Sequence, residues 1–251
     1  MTRTGRAVNK RIQTNTYTSG LGADGASRGF ADTTGIVALD STAQAIVLAF
    51  RGSHSVRNWL ADLAAGQQPI SWCAGCMVHD GFYSAYMDEA AQLRTTISAL
   101  KRAHPSYRIV ATGHSLGGAL AQLAAADLRA HGLAVDAFTY GSPRIGNEQL
   151  SHFISTQPGG NNFRVTHADD PVPRLPLILM GYQHVSPEYH ISDAAIGGSV
   201  QPSQITIYPG GINFGGNTAD DGLVSLNIPA HLHYLIKSGI ADCAPLEFEL
   251  K

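Results

Sequence analysis

Gly113-His114-Ser115-Leu116-Gly117 sets one serine two residues from a glycine on either side. In a G-x-S-x-G segment the serine occupies a sharp strand-to-helix turn, with its oxygen exposed as a nucleophile. A side chain two residues before or after such a serine would collide with the neighbouring chain, and the serine itself takes an unfavourable backbone conformation. A chain with 27 glycines can produce five such residues without any chemistry attached, so the flanks decide. Residues 108–112 read as a strand. Residues 117–130 read as a helix with Leu116, Leu120, Leu123 and Leu128 on one side and Gly132 at its end. The free N–H groups and positive dipole end at the start of that helix favour negative charge beside the serine. The N–H of Leu116 is therefore one expected oxyanion donor. Arg51-Gly52-Ser53, after the apolar run 45–50, is the candidate loop for a second donor, unless it is an ordinary strand-ending turn.

A serine hydroxyl at neutral pH needs a histidine to take its proton and a carboxylate to orient that histidine. In this strand-turn-helix class the chain order is serine, acid, histidine. Asp169 and Asp170 both follow a strand at 163–167 and precede Pro171-Val172-Pro173, at the edge where open α/β sheets assemble their sites. Asp136 begins a strand and Glu148 a helix, so solvation or capping accounts for them. Four histidines lie beyond Asp170: His184, His190, His231 and His233. His231 is preferred because it follows Pro229 at the start of the last helix, where a loop can bring it over the sheet edge. A His231/His233 metal pair is the rival, but it lacks neighbouring ligands to complete a site. His114 and His167 are read as satisfied structural residues. Cys73-Ala74-Gly75-Cys76 reads as a small local disulfide, with a redox dithiol or half a zinc site as alternatives; Cys243 stands alone.

These residues need a scaffold, and the periodicity supplies one. Residues 35–40 and 45–51 read as a hairpin around the turn chemistry of 41–44. Between 85 and 103, Tyr86, Ala90, Leu93, Ile97 and Leu100 form one inward stripe of a core helix. Further strands are expected at 135–140, 163–167 and 205–208, and helices at 147–156 and 231–237. This alternation implies an α/β fold with a mostly parallel central sheet flanked by helices. Residues 1–34 read as an irregular N-terminal segment and 35–251 as a single catalytic domain. The Gly/Asn-rich stretch 209–222 reads as a surface loop. With 44% hydrophobic and 14% charged residues the chain can bury a large core. A net charge of -2 with scattered Lys and Arg argues against nucleic acid as a partner. No apolar run reaches the roughly 18 residues of a membrane span, and the N-terminus lacks the apolar segment of a signal peptide.

From residue 35 to 243 the sequence resembles the class 3, filamentous-fungal triacylglycerol lipase family. The segments that carry the resemblance are IVLAFRGSHSVRNWL, CAGCMVHDGF, YRIVATGHSLGGALAQLAA, YGSPRIGN, FRVTHADDPVPRLP, GYQHVSPEY and IPAHLHYL. The resemblance implies an α/β-hydrolase fold, with Ser115 as nucleophile, Asp170 rather than Asp169 as acid and His231 as base. It also implies that Ser53 joins Leu116 in the oxyanion hole. A short helical lid is implied over Ser55, Val56, Arg57, Asn58, Trp59, Leu60, Ala61 and Asp62. Val56, Trp59 and Leu60 recur at i, i+3 and i+4, giving that lid a small apolar face.

The activity so implied is that of a secreted-type lipase or esterase cleaving acylglycerol esters through an acyl-enzyme, without metal or cofactor. Its partner would be a lipid ester at a lipid-water interface, and the protein an extracellular monomer. A feruloyl-type esterase acting on plant cell-wall esters, and a silent lipid-binding relative, are the alternatives. One departure concerns the N-terminal cysteine that pairs in the family with the one near the C-terminus. Met1 to Gly29 holds none, so Cys243 lacks its partner, and a truncated N-terminus is the expected reason. No Asn-x-Ser/Thr sequon is present, so glycosylation is not expected.

Overall fold

The computed structural model describes residues 12–19, 33–53, 66–192, 199–220 and 227–235. Its centre is an eight-stranded sheet in the order β1-β2-β3-β6-β7-β8-β9-β10. The strands are β1 (Ile12–Ser19), β2 (Thr33–Asp40), β3 (Ala45–Phe50), β6 (Arg108–His114), β7 (Val135–Tyr140), β8 (Asn162–His167), β9 (Glu188–Ile191) and β10 (Ile205–Tyr208). The run from β3 to β9 is parallel. Antiparallel pairs close the sheet at both ends. The β2–β3 hairpin turns at residues 41–44, where the Asp40 carboxylate accepts the N–H groups of Thr42 and Ala43. A small second sheet pairs β4 (Gln67–Pro69) with β5 (Met77–His79) around a disulfide between Cys73 and Cys76.

Helix α1 (Asp80–Ala103) begins earlier than its apolar stripe suggested, because the His79 ring accepts the N–H groups of Gly81 and Phe82 and caps the first turn. Its buried face includes Tyr86, Ala90, Leu93 and Ile97, the periodic residues of the sequence. Helix α2 (Leu116–Ala130) is buried along nearly its whole length, not on one leucine face only. It lies between the sheet and α1, and its alanines allow the close approach. Its charged residues are paired: Asp127 accepts from Tyr86 Oη at 2.6 Å and from Arg94, and Arg129 donates to Asn162 and to Val135 O. Burial of this kind is tolerated only because those groups find partners. Helix α3 (Glu148–Thr156) starts at Asn147, whose side chain caps Leu150 N.

Four expectations differ from what is observed. Ile12–Ser19, read as irregular, pairs along its length with β2; its sequence IQTNTYTS is nearly all polar, so apolar alternation could not flag it. β9 was not anticipated, because EYHI carries Glu188 and His190 into the interior. The last described helix, α4 (Ile228–Leu232), precedes most of the expected 231–237 segment, since Asn227 caps it at Ala230 N and Pro229 suits its first turn. The stretch from residue 209 onward is not simply a surface loop: Asn213, Asn217 and Thr218 are buried. The lid segment 55–62 and Cys243 lie outside the described residues.

Candidate active site

β6 ends at His114 in the middle of the parallel sheet and α2 starts two residues later, at Leu116. Ser115 bridges them at φ 57° and ψ -128°. A non-glycine residue there is strained, and such strain persists only where the surroundings over-determine it. Here they do. A β-carbon on Gly113 would come to 2.2 Å from Gly117 O, and one on Gly117 to 2.2 Å from Phe50 O. The turn is thus wedged between the start of α2 and the end of β3. The Arg51–Ser53 strand exit passes the same point, with the β-carbon direction of Gly52 reaching 3.4 Å from Ser115 Cβ. Gly52 and the N-terminus of α2 therefore flank Ser115, and the first N–H groups of a helix have no partner within it.

β8 delivers the carboxylate. After His167 the chain turns through Ala168 at φ 43°, and the two aspartates point to different partners. Asp169 accepts from Asn227 Nδ2, the residue that caps α4. Asp170 is fully buried. It faces His231 Nδ1 at 2.9 and 3.0 Å, and accepts from Val172 N at 2.8 Å and from Tyr234 Oη at 2.5 Å. The sequence alone left Asp169 and Asp170 open; only Asp170 meets His231.

Two other histidines hold His231 in place. His114 Nε2 donates to the carbonyl of His231 at 2.7 Å, with the two rings 4.4 Å apart. Burial, and then the nearby His231, lower the His114 pKa to about 4, so this ring is neutral and its Nε2 keeps the proton that the carbonyl requires. His167 Nδ1 donates to the carbonyls of Ala230 and His233. The reading of both as satisfied structural residues agrees with these contacts. Tyr234 was not anticipated. Its ring lies among those of His114, Tyr140 and His167. Burial, then the Asp170 charge, push its pKa well up, so it remains a donor. Its sequence signals are its position three residues after His231 and its place in the segment IPAHLHYL.

The tautomer of His231 follows from its neighbour. With Nδ1–H directed at a carboxylate, Nε2 is left as an acceptor. His231 Nε2 and Ser115 Oγ are both buried and, among the described residues, both lack a hydrogen-bond partner. His114, the residue before Ser115, has its ring 4.4 Å from that of His231, so a nitrogen able to accept a proton and a hydroxyl able to give one lie at the same end of β6. The competing histidines are engaged elsewhere. His184 Nε2 donates to Pro173 O, His190 meets Thr166 Oγ1, and His233 Nδ1 meets Pro229 O. Asp136 accepts from Asn161 N, and Glu148 lies in the first turn of α3.

A strained serine between a parallel strand and a helix, with Asp170 on a later turn and His231 on a later short helix, defines an α/β-hydrolase. The family model for "Lipase (class 3)" matches residues 47–180. Secreted mono- and diacylglycerol lipase 1 of Fusarium solani is 44% identical over 215 residues, covering 86% of this chain and 63% of that protein. Secreted mono- and diacylglycerol lipase A of Penicillium camembertii is 42% identical over 207 residues, covering 82% and 67%. The crystal structure of mono- and diacylglycerol lipase from Aspergillus oryzae superposes with a TM-score of 0.78 at 45% identity, covering 82% of this chain and 76% of that one. The chain belongs to the class 3 lipase family. It spans 63% of the length of the Fusarium relative.

Proposed function

We propose that this protein hydrolyses carboxylic esters of acylglycerols through an acyl-enzyme on Ser115. In this reading His231 Nε2 removes the Ser115 proton as Oγ attacks the ester carbonyl, and the imidazolium so formed is held by Asp170. The oxyanion is received by Ser53 and by the N–H of Leu116, where the dipole of α2 also favours negative charge. His231 then protonates the leaving alcohol. Water, deprotonated by the same nitrogen, releases the fatty acid. The observation that carries the reading is the fully buried His231–Asp170 pair, with His231 Nε2 and the Ser115 hydroxyl both unpartnered among the described residues.

Two relatives named as secreted mono- and diacylglycerol lipases support an acylglycerol substrate and an extracellular setting for this chain. No helix among the described residues is long and apolar enough to cross a membrane, so a lipid substrate would be met at its surface. The test compares p-nitrophenyl butyrate, octanoate and palmitate, a monoacylglycerol and methyl ferulate, using the wild type and Ser115→Ala. Hydrolysis of the lipid esters by wild type alone is expected. Equal rates for the two proteins would overturn the reading, and a preference for methyl ferulate would redirect it to cell-wall esters.

A further inference from the structure

Glu188 and Arg164 are a buried pair that the triad does not use. They lie opposite each other on β9 and β8, and Glu188 is 1% exposed. The Glu188 carboxylate accepts from Thr166 Oγ1 at 2.6 Å, Asn213 Nδ2 at 2.8 Å, Asn217 N at 3.0 Å and Arg164 Nη2 at 3.3 Å. Two of these donors come from the glycine-rich stretch. A β-carbon on Gly216 would stand 2.8 Å from Glu188 Oε2 and 2.9 Å from its carboxyl carbon. Glycine is what lets the chain pass this close and present the next N–H to the carboxylate.

Asn217 then faces two ways. Its backbone is tied to Glu188, while its side-chain Nδ2 donates to Ala168 O at 3.1 Å and to Asp170 O at 3.0 Å. Both carbonyls belong to the turn that carries the acid, and that turn contains the left-handed Ala168. Strained turns stay in one conformation only when outside contacts fix them. Asn217 is itself buried, so water does not readily replace its amide.

We propose that Asn217 is a positioning residue for the triad acid: it holds the Asp170 turn against the buried Glu188–Arg164 pair and thereby aims the carboxylate at His231. The proposal rests on the triad reading given above. Geometry sets its consequence. The carboxylate spans His231 Nδ1 with both oxygens at 2.9 and 3.0 Å, and misplacement of a catalytic group by an ångström costs on the order of a hundredfold in rate.

The experiment uses the full chain with Asn217→Ala and Asn217→Asp; the latter keeps the volume but sets an acceptor against two carbonyls. Active sites are counted by stoichiometric labelling of Ser115 with an alkylphosphonate, so that kcat refers to folded enzyme only. Tyr86→Phe, which removes a buried hydrogen bond in the α1–α2 layer, is the stability reference. Both Asn217 variants are expected to lower kcat per labelled site by about tenfold or more, with KM little changed. The acidic limb of kcat/KM moves to lower pH, because a displaced Asp170 stabilises the His231 imidazolium less. Tyr86→Phe lowers Tm without either effect.

Unchanged kcat and an unchanged acidic limb in both Asn217 variants would overturn the proposal, whatever happens to Tm. If neither variant yields labelled sites, the His231 Nδ1 proton is followed by NMR in Asn217→Ser; an unshifted resonance then counts against it. Failure of the wild type to be labelled at Ser115 would refute the triad reading itself and is thereby distinguished.

Discussion

The buried pair behind the acid turn makes a quantitative claim about acid stability. Burial alone would raise the Glu188 pKa, but Arg164 and the donors from Thr166, Asn217 and Asn213 outweigh it and lower the value from 4.5 to about 2. A carboxyl with a depressed folded pKa contributes stability that is fully present above its unfolded pKa and lost as pH falls toward the folded one. The full contribution is about 3 kcal/mol, at roughly 1.4 kcal/mol per tenfold change in proton affinity. About 2 kcal/mol of it is gone by pH 3. Glu188→Gln removes this dependence. At pH 7 it also leaves the buried Arg164 guanidinium without a countercharge, at a cost of about 3 kcal/mol or more. His190 Nδ1 lies 3.8 Å from the same carboxylate, so both proteins are best compared in a His190→Gln background. Urea unfolding with linear extrapolation at pH 7, 5, 4 and 3 gives the stability gap directly. The gap is expected to shrink by about 2 kcal/mol between pH 7 and pH 3. A gap that stays constant within about 0.5 kcal/mol would refute the assignment of a depressed Glu188 pKa.

Other consequences follow from single contacts. Asp170→Asn keeps the shape of the site but reverses the polarity facing His231 Nδ1, so the wrong tautomer is favoured; a loss of about 10⁴ in kcat is expected with little change in fold by circular dichroism. Gly117→Ala places a β-carbon on Phe50 O at 2.2 Å, backbone that cannot rotate away, so labelling of Ser115 by an alkylphosphonate should be lost or greatly slowed. Tyr234→Phe removes one hydrogen bond to a buried carboxylate, worth about 2 kcal/mol, and should lower Tm by about 4–8 °C for a domain of this size.

Much of the scaffold is local in origin and therefore legible in the residues. Val135–Tyr140 and Ile205–Tyr208 are strands at the limits expected from their β-branched and aromatic content. The nucleophile turn is likewise a short-range feature: two glycines and one serine meet its steric demands within five residues, and the elements on either side carry their own periodicity. The CxxC pair closes across a three-residue separation, so its disulfide is local as well. Family resemblance then singled out Asp170 from its neighbour and Ser53 from other turn residues, neither of which periodicity can do.

What periodicity could not supply depends on groups that are distant in the chain and ordinary in type. Asp169 and Asp170 differ only in which way the left-handed turn at Ala168 sends them, and Asp170 meets a histidine 61 residues further on. β9 reads as no strand at all, and Glu188 carries no signal of burial until Arg164, Thr166 and the glycine-rich stretch surround it. Tyr234 and Asn217 carry no signature of their own. Gly113, Ser115 and Gly117 announce a sharp strand-to-helix turn because its constraints are steric and lie within the turn. The contacts that join Asp170, His231 and their supports form only when the folded chain brings buried donors and acceptors together, since a buried polar group must find its partner wherever the chain places one.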